Sequence, residues 1–292
     1  MIVVRMQGGL GNQFFQYAAG RALSARLACR LFLDVSWYRD LPRGATPREW
    51  ELGRYPIQAE CLDPLDERAP WFWSMEHVGC VLRVDGRWHW ARSFRERGMA
   101  HDSHVVRLSA GRTLEGYWQS PLYFTAVAEA LRRELQPTTP MGPDDTRVAA
   151  LISVDPLRAV AVHVRRGDYL SGVHAAHHGV CDLGYYRRAF EHVRHRMSGA
   201  RFFVFSDDPE WVRSRPDVFG DADLVCHNGA GSAFQDLRLM SLCRGHVIAN
   251  SSFSWWSAWL SSADDKLVVA PARWFAGSEP TPTLMPSEWI RL

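Results

Sequence analysis

Residues 158–170, RAVAVHVRRGDYL, carry a strand directly into a charged turn. Ala159 to Val164 is apolar and rich in β-branched residues, which reads as a buried strand. From His163 to Asp168 the chain then presents an imidazole, two guanidiniums, a glycine and a carboxylate. In an open α/β sheet, ligands settle outside the carboxyl ends of the strands. Adjacent arginines there offer forks that match phosphate oxygens. The competing reading is a surface loop in which Arg166 and Asp168 form a solvated ion pair.

The texture after this stretch favours a site. Helices are expected at 147–153, 185–197, 232–243 and 252–262, with a short one opened by Asp208-Pro209. Strands are expected at 159–164, 201–206, 223–227, 246–250 and 266–270. Strands alternating with helices imply a parallel, doubly wound sheet with right-handed crossovers. Its strand ends would bring together His163, the turn 165–168, Ser206-Asp207-Asp208, His227-Asn228 and Asn250-Ser251-Ser252. Any one of these has a plain alternative as a helix cap, Ser252 and Asp208 above all. Polar groups at four successive strand ends are harder to explain as packing. The turn at 250–252 opens a helix, whose free N–H groups and dipole favour an anion such as a diphosphate.

Upstream, Gln136 to Thr146 (QPTTPMGPDDT) has three prolines and no apolar periodicity, and reads as a linker. Thr125 to Leu135 reads as a helix. At the N-terminus, Ile2–Met6 is an expected strand, residues 7–12 a glycine turn, Gln13 to about Ala28 a helix and Arg30–Val35 a second strand, a βαβ unit. The turn lacks the G-x-G-x-x-G pattern. Asp34 stands where a dinucleotide site wants an acid, so a nucleotide loop stays open beside a sugar-facing loop and a plain tight turn. Residues 36–115 are hard to read. They hold tryptophans 37, 50, 71, 73, 88 and 90, whose faces suit sugar stacking or core bulk, while Trp118 lies just beyond.

The chain has 292 residues, ample for two domains. A net charge of +2 makes no case for nucleic acid or a membrane surface. No apolar run is long enough to span a bilayer, and the first residues do not form a signal peptide. Cysteines 29, 61, 80, 181, 226 and 243 show no C-x-x-C pair and point to buried thiols in a reducing compartment. Asp207 and Asp208 beside a phosphate could hold Mg²⁺, but Pro209 favours a helix start, so no metal is expected. His174, His177, His178 and Cys181 fit no zinc spacing and read as a polar loop.

Four blocks carry a resemblance: residues 8–17 (GGLGNQFFQY), 116–120 (GYWQS), 163–169 (HVRRGDY), and Asp236-Leu237 through Met240-Ser241 together with residues 248–256 (IANSSFSWW). Spread over nearly the whole length, they resemble the bacterial α-1,2-fucosyltransferases, inverting GDP-fucose-dependent enzymes of GT-B fold. The resemblance implies two Rossmann-like domains facing a central cleft. Residues 1–140 would form the acceptor side and 141–292 the GDP-fucose side. It implies that Arg165 meets the β-phosphate and that His163 and Asp207 help hold guanosine. Ser251, Ser252 and Phe253 would line the phosphates beside Asn250, and Asn12 would face the sugar or acceptor. Arg166 would serve structure. Asp168 is the first candidate for a base. The implied partners are GDP-fucose and a galactose-terminated glycan, with no cofactor and no nucleic acid. The implied setting is cytoplasmic, or peripheral at the inner membrane, in O-antigen synthesis. A transferase for another sugar or acceptor, a non-catalytic nucleotide- or glycan-binding module, and a nicotinamide oxidoreductase remain alternatives.

Overall fold

The computed structural model describes residues 1–63, 71–73, 78–167, 179–277 and 281–292. The chain divides into two compact α/β units, Met1–Thr138 with Pro280–Met285 and Thr139–Glu279 with Pro286–Leu292. A single cut near residue 140 therefore misses the late segment that groups with the first unit.

The first unit begins with β1 (Ile2–Arg5), α1 (Leu10–Arg26) and β2 (Leu31–Asp34), and β1 pairs parallel to β2 as the βαβ pattern predicts. Helix α1 starts three residues earlier than expected. Gly9 is its N-cap, and the backbone nitrogens of Asn12 and Gln13 already donate to Gly9 O at 2.9 and 3.0 Å. Asn12 therefore stands in the first helical turn. Strands β3 (Glu60–Leu62), β4 (Trp71–Trp73), β5 (Gly79–Val84), β6 (Arg87–Arg95) and β7 (Arg112–Glu115) complete a sheet of order β3-β2-β1-β7-β6-β5-β4. Both β4–β5 and β5–β6 are antiparallel. That hairpin extension is what made 36–115 illegible, because part of it packs on one face only. Trp71 and Trp73 lean on the cluster of Val3, Phe32, Cys80, Leu82 and Ala91, as core bulk. Trp88 and Trp90 stand out at 55% and 46% exposure. Helix α2 (Ala128–Glu134) closes the unit.

The second unit runs α3 (Pro143–Val154), β8 (Ala159–Val164), α4 (Leu183–Arg196), β9 (Arg201–Ser206), α5 (Pro209–Arg213), α6 (Pro216–Phe219), β10 (Asp223–Val225), α7 (Ala233–Ser241), β11 (Gly245–Val247), α8 (Ser252–Leu260), β12 (Leu267–Ala270) and β13 (Ile290–Arg291). Its sheet is wholly parallel, in the order β10-β9-β8-β11-β12-β13. Helix α3 takes in residues assigned to the linker. Pro143 breaks no helix because it sits in the first turn, where its missing N–H has no partner to lose. Asp145 then accepts from Gly142 N at 3.3 Å.

Every residue of β8 is buried. Val160, Val162 and Val164 meet Tyr185, Tyr186, Ala189 and Phe190 of α4 on one face. Ala159 and Ala161 meet Val148, Ile152, Leu239 and Met240 of α3 and α7 on the other. The period of two thus sends alternate residues into two cores, and the sheet is doubly wound. The α/β class expected from the sequence holds in both units, and the parallel, doubly wound sheet expected for the second is present. All six cysteines are free thiols, and 80, 181 and 243 are buried. No described helix is long and apolar enough to cross a membrane.

Helix α1 lies on β1 through Gly20. A Cβ there would stand 2.4 Å from Val4 Cγ2 and 3.1 Å from Leu31 Cδ1. Gly20→Ala is expected to destabilise the chain by about 1–3 kcal/mol through overpacking. Urea denaturation followed by tryptophan fluorescence checks this, and an unchanged midpoint would contradict the packing.

Candidate functional site

From β8 the chain steps outward to β9 and β10, then returns past β8 to β11 and continues to β12 and β13. The boundary between β8 and β11 is therefore the topological switch point, where the two strand ends diverge and leave a crevice. The end of β8 carries His163 and the arginine turn. The end of β11 leads through Ile248 to Ser251 into α8.

Asp207, the first residue after β9, organises the turn. Its Oδ1 accepts from Arg166 N at 2.8 Å, and its Oδ2 accepts from Gly167 N at 3.1 Å and pairs with Arg165 Nη1 at 3.0 Å. Gly167 is needed for this approach, since a Cβ there would lie 2.7 Å from Oδ2. Arg166 turns away. Its Nε donates to Asp208 Oδ2 at 3.1 Å, and its guanidinium lies 4.2 Å from the centre of the Trp211 ring. Asp208 also accepts from Trp211 N at 3.1 Å as the N-cap of α5. Arg166 is thus engaged within the unit, and Asp208 caps this helix.

His163 is buried, with its ring 5.6 Å from that of Phe253 in the first turn of α8. Tyr186 donates its hydroxyl to His163 O at 3.1 Å. Among the described residues the ring Nδ1 has no hydrogen-bond partner. Burial pulls the imidazole pKa down to about 4; the charge of Asp207 opposes this and that of Arg165 adds to it. His163 is therefore neutral near pH 7 and offers an unfilled ring nitrogen at the switch point. Ser251 is the N-cap of α8 and gives no side-chain cap, and the first turn holds no acid. Among the described residues no side chain caps this helix end, and such an end suits an anion.

Asn250 is placed differently. Its Nδ2 donates to Gly179 O at 3.3 Å and Trp274 O at 3.2 Å, which ties two loops together inside the unit. His227 and Asn228 are likewise occupied. His227 Nε2 and Asn228 Nδ2 each lie 2.8 Å from Asp145 Oδ1, and Asn228 Nδ2 lies 2.8 Å from Asp236 Oδ1. Asp168, His174, His177 and His178 fall outside the described residues.

In the first unit, Asn12 Oδ1 accepts from Gln119 Nε2 at 2.8 Å, which joins two of the sequence blocks. Gln16 joins them again, accepting from Gln7 N at 3.0 Å and donating to Gly116 O at 3.2 Å. Asp34 accepts from Ser36 N and from Trp73 Nε1, both at 2.9 Å, and is fully buried. A carboxylate so occupied is not positioned for a ribose, which removes the dinucleotide reading of the glycine turn.

Residues 100–290 match the profile described as Glycosyl transferase family 11. The chain belongs to this family. An alpha-1,2-colitosyltransferase of Escherichia coli is 32% identical to it, over 100% of this chain and 99% of that protein. The O-antigen biosynthesis glycosyltransferase WbnK of Escherichia coli is 29% identical, over 98% and 99%. Human galactoside alpha-(1,2)-fucosyltransferase 1 is 28% identical over 88% of this chain and 64% of its own length. Among solved structures, the fucosyltransferase NodZ from Bradyrhizobium is 13% identical over 88% of this chain and 90% of that one, with a TM-score of 0.48.

Within this family-11 chain, sequence reasoning passed over Trp211, Tyr186, the part Gln119 plays, and Glu96, whose carboxylate accepts from the backbone nitrogens of Tyr117 and Trp118. Gln119 lay in a quoted block, but nothing local ties the others to the motifs they hold.

A second imidazole, His246 on β11, is fully buried, and burial lowers its pKa to about 3, with Lys266 nearby adding to the effect. Both histidines resist protonation in the fold. Below about pH 6.5 the unfolded chain takes up protons that the fold refuses, so stability falls with falling pH and is flat above that point. The expected loss from pH 7 to 5.5 is about 1 kcal/mol for each histidine. Denaturant midpoints at the two pH values check it, and His163→Asn should flatten part of the slope.

Proposed function

We propose that the chain transfers L-fucose from GDP-β-L-fucose to the 2-hydroxyl of a terminal galactoside, with inversion at the anomeric carbon. The observation that carries this is Arg165, held by Asp207 at the carboxyl end of β8, at the switch point whose other side is the uncapped start of α8. A fork and a helix N-terminus are the groups that meet a diphosphate. The relatives named as α-1,2-transferases support the linkage.

In this reading the acceptor oxygen attacks the anomeric carbon from the face opposite GDP. The bond to the β-phosphate oxygen breaks with its electron pair leaving on GDP. Arg165 and the first-turn N–H groups of Ser252 and Phe253 stabilise the charge that grows there, which is the largest catalytic term such a site can supply. Neutral His163 serves as a hydrogen-bond partner for the nucleoside. Asn12 serves the sugar or acceptor. No metal is required, because the charge is met by protein groups. The work is done in the cytoplasm, on glycans destined for the cell surface.

A colitosyl donor is the second reading, favoured by the E. coli relative at 32% identity. Colitose is L-fucose without its 3-hydroxyl, so parallel assays with the two GDP-sugars decide between them. NMR of the product gives the linkage. GDP-fucose left unused with every galactoside would sink the first reading, as would a strict divalent-metal requirement.

Arg165→Lys keeps the charge and loses the fork. The expected loss in kcat is about 10²- to 10³-fold, by analogy with removing one oxyanion donor. Steady-state kinetics with GDP-fucose measures it, and a near-wild-type kcat would refute the role.

A further inference from the structure

The hairpin of the first unit turns one face inward and one outward, and packing does not account for what the outward face carries. β5 and β6 are joined by Asp85-Gly86, both at positive φ (50° and 78°), the two-residue turn that best matches strand twist and fixes register. The pairing sets Cys80 opposite Ala91, Leu82 opposite His89 and Val84 opposite Arg87. Cys80, Leu82, Val84 and Ala91 enter the core cluster with Val3 and Phe32. Alternation then sends Val81, Arg83, Trp88, Trp90 and Arg92 to the other side. There Arg83 stands opposite Trp88 and Val81 opposite Trp90. Both tryptophans and both arginines are exposed.

These side chains are placed, not loose. Trp90 lies across Gly79, where a Cβ would stand 2.9 Å from its Cζ2, so the indole is seated on the sheet with part of its surface open. Arg83 Nε donates to Gly86 O at 3.4 Å, which holds its guanidinium near the turn. Residues 79–97 carry five arginines against two acids, in a chain whose net charge is only +2. Both acids are engaged elsewhere. Asp85 pairs with Arg30 Nη1 at 3.0 Å, and Glu96 accepts from Tyr117 N at 2.7 Å. The near-neutral total therefore hides one basic, aromatic face.

We propose that this face docks the chain on an anionic lipid surface, with Trp88 and Trp90 in the headgroup layer and Arg83 and Arg92 on lipid phosphates. Indoles settle at headgroup depth because one end is apolar and the other donates a hydrogen bond. Arginine forks match phosphate oxygens, and a basic cluster is drawn to an anionic leaflet. Other occupants fit less well. Arginine and indole only donate, so the hydroxyls of a sugar would find no acceptor among these outward side chains. A second copy across a two-fold axis would bring the same arginines together. A single nucleic-acid strand is held in a groove that tracks its backbone, whereas this is the open side of a hairpin. The proposal does not depend on which sugar the chain transfers.

The test is sedimentation of the full chain with vesicles of phosphatidylcholine alone and of phosphatidylcholine with phosphatidylglycerol. The wild-type chain is expected to bind the anionic vesicles, and high salt to weaken that binding. Arg83→Gln with Arg92→Gln should weaken it by about tenfold or more. Trp88→Ser with Trp90→Ser should also cost about tenfold or more, from the apolar area lost. Lipids brominated on the acyl chain should quench wild-type fluorescence and leave the tryptophan variant unquenched. GDP affinity by calorimetry should stay at the wild-type value in both. Trp88→Ser alone keeps the test sound if loss of Trp90 from Gly79 lowers the melting temperature. Failure of the wild-type chain to bind anionic vesicles at low salt overturns the proposal, as does binding that neither double variant weakens. So does a dimer that Trp88→Ser dissolves, or a single-stranded oligonucleotide or soluble glycan that the face holds in preference to the vesicles.

Discussion

The carboxylate of Asp207 is the point on which the second unit's site depends. Arg165 and Arg166 are adjacent in sequence and would repel if both faced one ligand. Asp207 separates their tasks. It takes the backbone N–H groups of Arg166 and Gly167 and one edge of the Arg165 fork, which fixes the turn and the direction of Arg165. Arg166 is then drawn outward to Asp208 and Trp211. A single strand-end acid thus separates a pair of like charges, holding one at the strand end and leaving the other as an anchor. Charge-assisted bonds of this kind are the stronger class, and their partial burial shields them from solvent. Without the acid the turn would hold two guanidiniums with no fixed address.

How much of this is legible in the sequence follows from how far each contact reaches along the chain. The strands β8 and β9 stand where the sequence puts them, 159–164 and 201–206, because each is an apolar run closed by a polar break. The convergence of His163, Arg165, Asp207 and the start of α8 follows from the alternation of strand and helix alone, since parallel topology leaves those ends no other edge. Asn250 shows the limit of that argument. It stands at the right strand end, but its amide is spent on Gly179 and Trp274, partners too distant in sequence to foresee. Pro143 and Asn12 show a second limit, since proline and glycine mark punctuation without saying on which side of it the helix begins. In 36–115 the hairpin extension buries one face with tryptophans and exposes the other with tryptophans, so composition gives no phase.

The two units are built with different polar materials. The second holds charge: a fork, a helix end and a neutral imidazole that burial keeps from becoming a cation and repelling Arg165. The first holds amides. Gln13, Gln16, Asn12 and Gln119 bind the glycine turn to the segments 48–54 and 116–120. Amides can be buried without the desolvation cost of an ion, and they offer donor and acceptor together. Glu51, whose backbone nitrogen Gln13 holds, is the exception among these amides, and burial raises its carboxyl to about 7.

One construction recurs in both units, and it explains why two of the sequence blocks contain glycine where they do. In the second unit β8 and β9 run parallel with Val164 opposite Ser206, and the next residue of β9's chain, Asp207, clasps the turn that follows β8. In the first unit β7 and β6 run parallel with Glu115 opposite Arg95, and the next residue, Glu96, clasps the turn that follows β7. Glu96 Oε2 accepts from Tyr117 N at 2.7 Å, and both its oxygens lie 3.0 Å from Trp118 N. Each clasp requires a residue without a side chain. A Cβ on Gly167 would meet Asp207 at 2.7 Å, and one on Gly116 would meet Glu96 at 2.4 Å. In the first unit the clasp also holds Trp118 at φ 56° with its indole fully buried, a conformation a bulky residue adopts only when its surroundings impose it. The carboxylate supplies that constraint, and Gln119 directly after it reaches Asn12. A neighbouring strand's acid, two backbone donors and a glycine are enough to aim a side chain at a strand end. This chain uses the device once for Arg165 and once for Asn12.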